Sequence, residues 1–221
     1  MDSAVLQLLV LAGIAIFLIL RLRSVLGTRE GFEKPPIGKT RPEPLDAPRR
    51  DFEVIEGGPD SDITDHVQEG SPAAEALAAM KAAEPEFHVG EFLHGARQAY
   101  EMILMAFENG DMDALVPLLS RDVYESFIEV VEMRERQGLR VEASFIGLRD
   151  VGIVTASFDR DTREAEVTVR FDAELTSVVR NSADEIVEGD PNEIKRQKDV
   201  WTFARRMDMD DPNWQLVATG G

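Results

Sequence analysis

The stretch "EAEVTVRFDAELT", residues 164–176, decides the fold. Ala165, Val167, Val169, Phe171, Ala173 and Leu175 occupy alternate positions, and Glu164, Glu166, Thr168, Arg170, Asp172 and Glu174 fill those between. A period of two puts the apolar set on one face of a strand and the polar set on the other. One buried face and one wet face is the mark of an antiparallel sheet. "DRDT" (159–162) is then the hairpin turn to the strand before it.

Further upstream, "LRVEASF" (139–145) alternates in the same way, with Leu139, Val141, Ala143 and Phe145 on one face. Before Leu139 the period is helical. "PAAEALAAMKAAEPEF" (72–87) opens with a short Ala-rich helix that ends near Pro85. In 90–111, Phe92, Leu93, Ala96, Tyr100, Ile103, Leu104 and Phe107 recur at spacings of three and four, one apolar helical stripe. Gly110 suits a helix stop and Asp111 an N-cap for a short helix. A further helix covers about Arg121–Gln137, with Val123, Phe127, Val130 and Val131 inward and Gly138 ending it. Helices followed by a run of strands predict an α+β domain with its helices on one sheet face.

Downstream, "KDVWTFARRMDMDDPNWQLVATGG" (198–221) holds both tryptophans of the chain. Trp201 and Phe203 share one strand face, with Val200, Thr202 and Ala204 on the other; Trp214, Leu216 and Ala218 alternate after "MDMDDP". The two strands, 198–206 and 213–219, form a hairpin that places both indoles under the helices, where they close the core, with Trp201 in mid-strand expected deeply buried and Trp214, at the start of its strand, expected partly exposed at the rim.

The N-terminal part differs in kind. Residues 3–20, "SAVLQLLVLAGIAIFLIL", carry no charge. Eighteen helical residues span about 27 Å, close to a bilayer core. The reading is a transmembrane anchor over residues 1–22, with Leu6, Leu9, Ile14 and Phe17 toward lipid and Arg21 and Arg23 at the headgroups. The rival, a cleaved signal peptide, needs a basic n-region and a small-residue cleavage site, and the run has neither. Arg21, Arg23, Arg29, Lys34, Lys39 and Arg41 all follow the span, which keeps the C-terminal side cytoplasmic. Residues 23–72 read as a disordered linker. Five prolines stand in 27–50, and 51–72 holds seven acidic side chains and no basic one. "DFEVIEGG" (51–58) is the one docking-strip candidate in it. The domain proper is expected over 73–221, as a soluble monomer or weak dimer.

Composition excludes several functions. The chain of 221 residues has no cysteine, hence no disulfide framework, thiolate metal site or cysteine nucleophile. Its formal charge is −18, which argues against nucleic acid as a partner. The charge is uneven: residues 1–50 carry eight basic against five acidic side chains, and the rest carry sixteen against thirty-seven. No phosphate loop, nucleophile elbow or metal-ligand cluster is visible, and no cofactor is expected. His94 stands beside the apolar stripe as the best general-base candidate, with a surface histidine the plainer reading; His66 falls in the linker and His88 at a helix junction. Asp172 and Glu174 fall on the wet face. Asp208, Asp210 and Asp211 resemble a calcium loop but lack the glycine and terminal glutamate of one.

Five motifs in order, "FLHGARQAYEMILMAFENGD" (92–111), "LLSRDVYESF" (118–127), "EGDP" (188–191), "DVWTFAR" (199–205) and "PNWQLVAT" (212–219), carry a resemblance. The region 72–221 resembles the C-terminal domain of the mitochondrial inner-membrane translocase subunit Tim forty-four and its bacterial relatives, the membrane-anchored TimA-type adaptors. The resemblance implies a cone-like α+β fold similar to nuclear transport factor two, with helices over a curved four-stranded sheet and an apolar pocket between. It implies that Trp201 and Trp214 help line the sheet side of that pocket; with Phe203, Phe171, Tyr100 and Phe107 they are the pocket or partner-binding candidates. It also implies an adaptor that tethers protein partners at the bacterial inner membrane, among them a DnaK-type chaperone or translocation machinery. A carrier of lipid or a small apolar ligand is the alternative; an enzyme of the cone-like fold is a weaker one, and with so few acid–base candidates no enzyme is expected. The family's lipid contact does not transfer directly: 73–221 has sixteen basic and thirty acidic residues, and an anionic leaflet repels it.

Overall fold

The computed structural model describes residues 60–209 and 211–220. The expected anchor, with Leu6, Leu9, Ile14, Phe17, Arg21 and Arg23, lies outside the described residues, as do the linker to residue 59 and Asp210. Among the described residues no helix is long and apolar enough to cross a membrane.

The first ordered element is α1 (Ser61–Thr64), capped by the Asp60 side chain. This corrects the expectation that the linker runs to residue 72. Ile63 is buried in the core and Val67 packs against it, so these two apolar side chains pull the end of the acidic stretch onto the domain.

Helix α2 (Pro72–Ala83) starts on a Ser71 cap with Pro72 in its first turn, and it buries Ala74, Leu77 and Met80. It stops before Pro85 because Glu84, preceding the proline, is driven to extended backbone. Helix α3 (Val89–Asn109) buries the expected stripe from Phe92 to Leu104, and Gly110 ends it in the left-handed region at φ 71°. Helices α4 (Met112–Leu115) and α5 (Arg121–Arg136) start on Asp111 and Ser120.

The strands are β1 (Arg140–Phe158), β2 (Glu164–Arg180), β3 (Ile186–Gly189), β4 (Lys195–Arg206) and β5 (Gln215–Gly220). All pairings between them are antiparallel, in the order β1-β2-β4-β5. The deciding alternation holds: Ala165, Val167, Val169, Phe171, Ala173 and Leu175 are all buried. The sheet has five strands, not four. β2 continues past Thr176 to Arg180, and the chain turns back so that β3 pairs with its end. Gly189 makes this return possible: its φ is 83°, and a Cβ there would stand 2.3 Å from the Ser177 carbonyl oxygen.

Two further differences come from bulges. The strand at 139–145 and the one before "DRDT" are a single 19-residue strand. Three register shifts against β2 break its alternation, and such bulges bend the sheet. On β5, a shift between Thr202 and Phe203 pairs Leu216 with Phe203 but Thr219 with Trp201. Ala218 is therefore exposed and off the core face, although Leu216 is fully buried. The core is one continuous cluster in which α2 and α3 lie against β1 and the helix-covered face of β2 and β4.

Candidate functional site

The bend before α3 and the irregular chain before β5 approach each other, and between them lies an open cleft of about 360 Å³. Phe92 and Ala96 of α3 and Phe203 of β4 form its floor, and Phe87, Trp214, Leu118 and Met102 its walls. Trp214 packs edge-on to Phe92 at 4.7 Å and tilts against Phe87 at 5.9 Å. It precedes β5, not begins it, and it stays half-buried. Met102 at the mouth is 52% exposed, a large apolar side chain left in water beside an apolar floor.

The rim is charged. Glu84, Glu86, Glu91 and His88 line one side. Arg205 lines the other: its side chain is only 7% exposed, Glu84 accepts a hydrogen bond from its guanidinium, and its Cζ lies 5.6 Å from the Trp214 ring centre. A buried guanidinium needs both the carboxylate and the ring face to offset lost hydration. Arg205 therefore locks Trp214 to the end of α2.

A second, smaller pocket of about 160 Å³ lies between Phe107, Phe127 and Trp201. Glu108, Gln197 and Asp199 supply its polar lining. Burial pushes the Glu108 carboxyl above the usual carboxylate range, opposed by Arg134 at 3.3 Å and by Lys195. Asp199 Oδ2 accepts from the Tyr100 hydroxyl at 2.6 Å and from Gln197 Nε2 at 2.8 Å. Burial, and then Asp199, push the Tyr100 hydroxyl far up, so it is a fixed donor.

The six expected site residues therefore divide. Phe203 and Trp214 line the larger cleft; Trp201 and Phe107 line the smaller pocket. Tyr100 and Phe171 are sealed in the core, stacked at 4.4 Å. Asp199 and Glu108 were not singled out from the sequence. The alternation that puts Trp201 and Phe203 inward also puts Asp199 inward, so Asp199 was within reach of the same argument. Of the general-base candidates, His94, His66 and His88 are exposed. Asp172 and Glu174 pair with Arg196 and Arg149 on the outer sheet face, each at 2.7 Å. Asp208 pairs with Arg163 and Arg206, and Asp211 accepts from Asn213, which accounts for both as turn residues.

The chain is similar to known proteins. A family model described as "Tim44-like domain" matches residues 73–221. The chain is 25% identical over 147 residues to the mitochondrial import inner membrane translocase subunit TIM44 of Homo sapiens and 23% identical to that of Mus musculus. Each match covers 65% of this chain and 32% of the relative, so the chain spans about a third of the curated relatives' length. Among solved structures, the intermembrane space region of the chloroplast protein ARC6 aligns over 58% of this chain and 94% of its own. Its TM-score is 0.41 at 9% identity.

Proposed function

This chain belongs to the Tim44-like domain family, and from that premise we propose that it is a membrane-anchored adaptor. In this reading, residues 3–20 fix it in the inner membrane. The domain faces the cytoplasm and holds protein partners linked to translocation, such as a translocation component or a DnaK-type chaperone. The observation that carries the reading is the cleft at Trp214. It is apolar at its floor, charged at its rim and open to solvent, over a core already filled by stacked aromatic rings. Partly exposed tryptophan beside arginine is the composition of binding hot spots.

The reading is binding, not catalysis. The two carboxylates that line the smaller pocket are already engaged, Glu108 by Arg134 and Asp199 by Tyr100 and Gln197. A second reading has one observation in its favour: a largely apolar cleft of about 360 Å³ falls in the size range of small-ligand sites. A lipid chain or small apolar molecule would then be the occupant. Photo-crosslinking from position 102 in the full chain in native membranes separates the two. Specific protein adducts support the adaptor, and lipid adducts alone replace it with the carrier.

A further inference from the structure

The segment just before the matched family domain grips the wall of the cleft. Asp62 Oδ2 accepts from the Val89 amide at 2.9 Å, and Oδ1 accepts from the Gly90 amide at 3.0 Å. These are orphan donors at the start of α3, which the nominal cap, His88, leaves without a side-chain partner. Lys81 of α2 closes the same carboxylate at 2.9 Å and reaches Asp60 at 2.7 Å. One side chain thus ties α1 to the end of α2 and the start of α3. Its position matters because Phe87 and His88 on one side of these amides, and Glu91 and Phe92 on the other, all line the cleft. Ile63 anchors the segment from below, at 5% exposure.

We infer that Asp60–Val67 is a strap that sets the shape of the cleft, with Asp62 as its positioning residue. The site it shapes is the docking cleft, so the inference rests on that reading of Trp214. With the strap in place, the backbone at 87–92 is pinned and Phe87 and Phe92 are held against the indole. With the strap off, two amides and Lys81 lose their common acceptor and Phe87 is free to leave Trp214. The strap uses residues outside 73–221, the part shared with the family.

The test uses the full chain in nanodiscs in two single-tryptophan forms. Trp201→Phe leaves Trp214 as reporter of the cleft, and Trp214→Phe leaves Trp201 as reporter of the core. Into each goes Asp62→Ala and, separately, Ile63→Ser, which removes the apolar foot and keeps the carboxylate. Both changes are expected to red-shift Trp214 and raise its acrylamide quenching about twofold, with Trp201 unchanged. Amide exchange at Val89 and Gly90 should speed about tenfold or more in Asp62→Ala, since each loses a bond to a charged acceptor. No change at Trp214 overturns the strap. Equal changes at both tryptophans also overturn it, because Asp62 then supports the whole domain and not the cleft. These readouts involve no partner, so loss of the docking reading, through lipid adducts alone in crosslinking from position 102, is a separate result.

Discussion

The Tyr100 hydroxyl, on α3, donates a 2.6 Å hydrogen bond to Asp199 on β4, joining the helix layer to the sheet. The ring below it stacks on Phe171 at 4.4 Å and meets Trp201 at 4.6 Å. Tyr100→Phe keeps these ring contacts and removes only the donor. A bond to a charged acceptor contributes about 1.5–3 kcal/mol, and Asp199 keeps Gln197, so a loss of about 1–2 kcal/mol is expected. Asp199→Asn should cost less, since the amide oxygen still accepts. Denaturant unfolding of both variants measures the difference.

A chain beginning at residue 73 should be measurably less stable than one beginning at residue 60. It lacks Ile63, whose burial contributes about 1.5–3 kcal/mol, and it leaves the Val89 and Gly90 amides without Asp62. The expected drop in melting temperature is about 5 °C or more for a domain of this size. Equal melting temperatures would return the boundary to residue 73.

Asp62 also predicts the acid limb of stability. Burial alone would raise its pKa, but the Lys81 ammonium and the Gly90 and Val89 amides outweigh this and hold it at about 2, below its ordinary 3.8. A group depressed in the folded state stabilises fully above its unfolded pKa and loses that contribution as pH falls through the folded value. Between about pH 4 and pH 2 the protein should lose about 1–2 kcal/mol through this group, allowing for solvent screening of a side chain that is 26% exposed. Asp62→Asn should be less stable at neutral pH and show a flatter limb in the same range, read by urea melts at each pH.

The fold was legible wherever one residue class repeats at one period. β2 and α3 followed directly, because Val167, Val169 and Phe171, or Phe92, Ala96 and Tyr100, each meet the same core. The bulges were not legible: a bulge inserts a residue without changing composition, so nothing around Val217 announced that Ala218 would turn outward. β3 was hidden because all four of its residues are exposed and carry no buried face. The strap was hidden by its charge. Seven acidic side chains in 51–72 outvoted Ile63 and Val67, and the partner of Asp62 lies far along the chain, at Lys81 and Gly90. Within the site, the aromatic half was found by residue type. Asp199 shares the alternation of Trp201 and Phe203, whereas Glu108 depends on Arg134 and Lys195 from other elements.

The two tryptophans should answer truncation differently, although the same alternation placed both in the core. Trp201 is 5% exposed and meets Tyr100, Phe171 and Phe203, so Trp201→Ala should cost about 3–5 kcal/mol. Trp214 is half-buried, with Phe92, Phe87 and Arg205 as its neighbours, and Trp214→Ala should cost about 1–3 kcal/mol. Part of that loss comes from Arg205, which keeps Glu84 but loses the ring that shields its guanidinium. Trp214→Phe restores an aromatic face and should recover at least half of the loss. Urea melts of the three variants check the order, and emission spectra check its cause, with Trp214 red-shifted relative to Trp201. If Trp214→Ala costs as much as Trp201→Ala, the indole is a core residue, and the cleft wall is then too rigid to serve as a rim on which a partner closes.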